Sequence, residues 1–83
     1  MFSFNIHCKT IHQAKLLMKY LNKQGFKWAD DTSLMEYDNW NVYKTDTCYY
    51  INQHTKKVEY HDIVHAKQFN EPIIEFETIA EQI

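Results

Sequence analysis

The chain opens on an alternation. Phe2, Phe4, Ile6 and Cys8 are separated by Ser3, Asn5, His7 and Lys9, the period of two that a strand with one buried face requires. The period then changes: Ile11, Ala14, Leu17, Met18 and Leu21 recur at steps of three and four, while Lys15, Lys19, Asn22 and Lys23 fall mostly on the other side. That is one apolar stripe on a helix. Thr10-Ile11-His12-Gln13 has the spacing of a capping box, in which the Thr hydroxyl and the Gln side chain satisfy free amides at a helix start. Gly25 is placed to end the helix as a left-handed cap. The spacing therefore predicts a strand through Cys8 and a helix from Thr10 to Gln24.

Beyond Phe26-Lys27-Trp28 the pattern weakens. The polar cluster Ala29-Asp30-Asp31-Thr32-Ser33 reads as a loop. A short strand or turn is expected at Leu34–Tyr37 and an extended piece at Trp40–Lys44. Thr47–Asn52 and Lys56–His61 carry the β-branched and aromatic residues of a hairpin, joined by Gln53-His54-Thr55. Tyr49 and Ile51 share a face of the first arm, and Val58 and Tyr60 a face of the second. Asp62 is positioned to cap a short helix through Phe69, and Pro72–Ile79 reads as a last extended segment with Ile74 and Phe76 on one side. The expected architecture is a single α+β domain over residues 1–83: one mostly antiparallel β-sheet, a single long helix packed on one face, and a short second helix.

Composition narrows the classes. Hydrophobic content of 45%, with aromatics at 16%, is ample for folding and excludes the low-apolar, high-charge signature of disorder. One Gly and one Pro leave no linker at which to divide the chain. Nine Lys against eleven Asp and Glu give a formal charge of -2, which removes the cationic field of a duplex-DNA binder. With no apolar run of about 18 residues and no basic leader before an apolar block, no membrane association is expected and a cytoplasmic location is. Cys8 and Cys48 then read as two reduced thiols.

Candidate chemistry is sparse. His61 and His65 are four apart and would share a helical face only if the second helix began at or before His61, and the residues between them are Asp-Ile-Val, without the Glu of a zinc-protease motif. His7, Cys8, His12 and Cys48 would need the fold to assemble them. Neither a metal site nor a cofactor is expected. A single glycine offers no Gly-rich oxyanion loop and no phosphate-cradling loop, so no enzyme activity is expected. Asp30/Asp31 and Glu75/Glu77 read as solvated pairs.

The informative stretch is Tyr37-Asp38-Asn39-Trp40-Asn41-Val42-Tyr43-Lys44, where aromatic faces for stacking on a base, amides for its polar edge and a cation for phosphate stand close together. With Tyr50 and Lys57 from the hairpin, the expected ligand-binding set is Tyr37, Asn39, Trp40, Asn41, Tyr43, Lys44, Tyr50 and Lys57. The same aromatics can also complete a small core.

Ala14–Trp28, Ser33-Leu34, Thr47–Ile51 and Ile73–Phe76 together resemble small accessory proteins of phages and prophages of Gram-positive bacteria. The resemblance implies a counter-defence protein that either sequesters a nucleotide-derived immune signal, as a sponge, or binds and blocks a host immune protein such as a CRISPR nuclease. The sponge is preferred for the aromatic, amide and lysine content of residues 37–44, and single-stranded nucleic-acid binding ranks third. A homodimer is expected, because one chain of this size makes a shallow pocket and an uncovered sheet face or edge invites pairing.

Overall fold

The N-terminal alternation becomes β1 (Ser3–Cys8) in the computed structural model, which describes residues 3–83; Phe2, expected in this strand, lies outside the described residues. Helix α1 (Ile11–Lys23) follows. Its start is a capping box with a one-residue offset. The Thr10 hydroxyl accepts from the Gln13 amide at 3.1 Å, and the Gln13 side chain accepts from the amide of Lys9 at 2.8 Å. Gly25, at φ +89°, ends it. The Gly25 amide donates to Asn22 O and the Phe26 amide to Leu21 O, the paired bonds of a Schellman cap.

Four further strands, β2 (Lys27–Trp28), β3 (Thr47–Asn52), β4 (Lys57–Asp62) and β5 (Ile73–Glu75), join β1 in the order β2-β4-β3-β1-β5. The hairpin β3–β4 forms with Tyr49 opposite Tyr60 and Ile51 opposite Val58, and β3 also pairs antiparallel with β1. The sheet is mixed, however, and not mostly antiparallel: β5 runs parallel to β1 and β2 parallel to β4. Both parallel partners are edge strands of two or three residues, too short to show a period.

These edges are reached by two crossovers that run in opposite directions over the sheet. From β1 the chain crosses through α1 to β2; from β4 it crosses through α3 (Ile63–Gln68) to β5. Two opposite crossovers have the same hand only if their helices lie on opposite faces. That is the arrangement found. Ala14, Leu17, Met18 and Leu21 of α1 join Ile6, Cys8, Tyr49, Ile51 and Val58 in the core on one face. On the other face the ring of His65 in α3 meets that of His61.

The helices are short, so the expected single long helix is replaced by α1 with 13 residues and three smaller helices. The second helix is present as α3, with the Asp62 carboxylate accepting from the Val64 amide at 2.8 Å. Trp40–Tyr43, expected to be extended, is instead the helical turn α2, followed by a 3₁₀ turn at Lys44–Asp46. Asp38 sets this up, its side chain accepting from the Trp40 amide at 2.9 Å while Asn39 takes a left-handed φ of 57°. The last extended segment is also shorter than expected. Its pairing stops at Glu75, opposite His7, and the chain coils into α4 (Phe76–Ile79), burying Phe76. Among the described residues, no helix is long and apolar enough to cross a membrane.

Candidate functional site

Between β2 and β3 the chain makes an excursion over residues 29–46 with no strand in it. Beyond Ala29, whose amide donates to Val58 O of β4, its backbone polar groups have no ladder to join and need other partners. Side chains of the sheet and its flanks supply them. The Trp28 indole N–H donates to Tyr37 O at 3.2 Å, and the buried Tyr49 hydroxyl donates to Asp38 O. The Trp40 indole donates to Cys8 O at 3.1 Å, and the Thr47 hydroxyl to Trp40 O at 3.2 Å. Leu34 plugs the underside of the excursion into the core. At its start Asp30 accepts from both the amide and the hydroxyl of Thr32. These bonds hold the Asp30 carboxyl below its ordinary value.

The pinned excursion leans over β4 and leaves a cleft of about 530 Å³ between them, walled by Trp28, Tyr37, Tyr43 and Tyr60, with Asn39 beside them. Trp28 meets Tyr60 edge to face at 5.9 Å, and Tyr43 lies 6.2 Å from Tyr60. The charged residues lining the cleft are acidic, Asp30 and Glu59.

Three of the eight expected residues, Tyr37, Asn39 and Tyr43, come together here. Trp40 is half-buried against the core. Asn41 and Lys44 are exposed on α2 and the turn after it. Tyr50 lies on the opposite face of the sheet with its ring 5.9 Å from His61, and Lys57 pairs with Asp31. Neither Lys44 nor Lys57 lines the cleft. Trp28 and Tyr60 stood outside the expected set. The alternation that puts Tyr60 on the Val58 face was visible in the sequence, whereas nothing local indicated that residues 29–46 would fold over that face.

The second face carries a polar network. His7, buried between β5 and the 3₁₀ turn, donates from Nε2 to Thr45 O at 2.6 Å and meets Glu75 through Nδ1 at 2.8 Å. The fully buried Asn5 donates to Glu71 Oε1 at 2.9 Å, and its oxygen lies 2.7 Å from His61 Nε2. Burial and the neighbouring His65 hold His61 below the ordinary imidazole value. Although α3 begins only at Ile63, the His61 and His65 rings are 4.5 Å apart. With Glu71 they form a group whose ligand atoms all lie within 4.8 Å of one another.

Cys8 and Cys48 are free thiols, both buried. Burial pushes both up, Cys48 to about 12 and Cys8 further.

Against family models, curated proteins and solved structures, the chain matches none.

Proposed function

We propose that the chain is a non-enzymatic binding protein that takes up the planar base of a nucleotide-derived signalling molecule in the Trp28–Tyr37–Tyr43–Tyr60 cleft and holds it without consuming it. The observation that carries this reading is the convergence of three accessible tyrosines, Tyr37 and Tyr43 from the excursion and Tyr60 from β4, on one open cleft backed by the buried Trp28. Base–aromatic stacking contributes about 1–3 kcal/mol per base, and the Asn39 amide beside the rings suits the polar edge of a base. With Asp30 and Glu59 lining the cleft, a bound nucleotide would keep its phosphates outside it. The resemblance to phage accessory proteins supplies the setting, an immune signal in the cytoplasm of a bacterial host. The reading keeps a homodimer as the expected assembly, because a single chain of this size offers only an open cleft.

Native mass spectrometry of protein purified gently from cells tests this directly. A species carrying a nucleotide-sized adduct, lost in the Tyr37→Ala/Tyr43→Ala variant, is expected. An adduct-free protein that also fails to bind any nucleotide in a panel would overturn the reading.

One observation favours a second reading. Met35 and Val42, close in the chain to Tyr37 and Tyr43, are each 57% exposed, and exposed apolar and tyrosine side chains on one excursion suit a protein interface. On that reading the same surface blocks a host immune protein, and a stable complex forms that nucleotides do not displace.

A further inference from the structure

The crossover from β4 to β5 brings three metal-ligating residues together on the face away from the cleft. His61 lies near the end of β4, His65 in α3, and Glu71 in the connection leading to β5. His61 Nε2 and Glu71 Oε1 are 3.4 Å apart. Ligands about 2.1 Å from a tetrahedral ion are separated by about 3.4 Å, so this pair already spans one edge of such a site. The His65 ring lies against that of His61, with centroids 4.5 Å apart, and His65 is exposed. The three ligand atoms already fall within 4.8 Å of one another, and the exposed His65 has room to rotate towards the other two.

We propose that His61, His65 and Glu71 form a binding site for a divalent transition-metal ion of the zinc type, with the fourth position open to water. Two imidazoles and a carboxylate are a nitrogen–oxygen set that such ions accept and that magnesium and calcium, which prefer all-oxygen shells, do not.

The surroundings support the ligands. Asn5 is fully buried and donates to Glu71 Oε1 at 2.9 Å, fixing the carboxylate as outer partners of metal ligands commonly do. Without an ion, the Nε2–H of His61 donates to Asn5 Oδ1, 2.7 Å away. Asn5 Oδ1 stands on the lone-pair side of Nε2, so an ion bound there displaces that hydrogen bond and requires the His61 ring to turn away from Asn5. The ring of Phe69, 4.7 Å from that of His65, flanks the site. A bound ion would tie the end of β4, α3 and the connection to β5 together.

The test uses the full chain without a histidine tag, stripped with chelator and titrated with Zn²⁺ against a chromophoric chelator. One equivalent should bind with a Kd of about 1 µM or tighter. His65→Ala, which removes an exposed side chain, should keep the fold and weaken binding by about tenfold or more. Glu71→Gln should weaken it as well, and His12→Ala/His54→Ala should leave it unchanged. Cobalt in place of zinc should give the visible absorption of a tetrahedral nitrogen–oxygen site in the parent protein and not in His65→Ala. Failure to bind zinc, or zinc binding that survives His65→Ala unchanged, would overturn the proposal.

Discussion

The hydroxyl of Tyr49, a residue at the centre of the sheet, donates to the backbone carbonyl of Asp38, a residue of the excursion that walls the cleft. The phenol therefore serves two levels of structure. Its ring fills the core beside Trp28, at 6.2 Å, and its tip holds the segment from which Tyr37 and Asn39 project.

Tyr49→Phe keeps the ring and removes the tether. The expected cost is about 1 kcal/mol of stability, the usual net value of one hydrogen bond, seen as a lower urea midpoint with an unchanged slope. Amide exchange should accelerate within residues 35–43 and not in β1 or β3. Uniform acceleration across the sheet would mean that the bond belongs to the core alone.

Trp40 and Tyr43 lie one helical turn apart and should respond differently. Trp40 is half-buried against the core and donates to Cys8 O, so Trp40→Ala should destabilise by about 3 kcal/mol, as truncations of large packed aromatics do. Tyr43 is exposed at the cleft; Tyr43→Ala should change stability by less than about 1 kcal/mol while weakening ligand binding. Thermal unfolding of the two variants side by side separates the core aromatic from the binding aromatic.

What could be read from the chain and what could not divides along this same boundary. Period and caps disclosed α1, its Gly25 terminus, the β3–β4 hairpin and the Asp62-capped α3, because each depends on residues a few positions apart. The edge strands β2 and β5 depend on where crossovers deliver them, and two or three residues carry no period of their own. In the same way Tyr37, Asn39 and Tyr43 were found as a local aromatic–amide run. Trp28 and Tyr60 complete the cleft through tertiary contacts. The pairing of His61 with Glu71 rests on the path of the crossover, which brings residues ten positions apart to 3.4 Å. Lys44 and Lys57 looked useful for phosphate because charge is visible in sequence and direction is not.

Lys44 stores strain that can be released. It sits at φ 52°, ψ -122°, a region that a side chain with a Cβ rarely enters and that glycine adopts without a steric penalty. Because Lys44 is exposed and lies outside the cleft, Lys44→Gly should raise stability by about 1 kcal/mol with no effect on base binding. A destabilised variant would show that the Lys44 side chain makes a compensating contact in solution.

The buried thiols and the Tyr49 phenol set a limit at alkaline pH. All three groups are neutral when protonated, and burial is the leading cause that raises each above its ordinary value, Cys48 to about 12 from 9.0. The unfolded chain therefore releases these protons at lower pH than the folded chain does. Their contribution to stability is complete below the unfolded values and declines as pH rises from about 9 towards the folded ones. Urea midpoints should accordingly be flat with respect to these groups between pH 7 and about 8, then fall steadily above about pH 9. The same burial predicts that a thiol-reactive chromophore at pH 8 labels neither cysteine in the native protein and both in denaturant. Cys48→Ala should soften the alkaline decline, whereas rapid native labelling of Cys48 would show that strand β3 opens far more readily than its buried position implies.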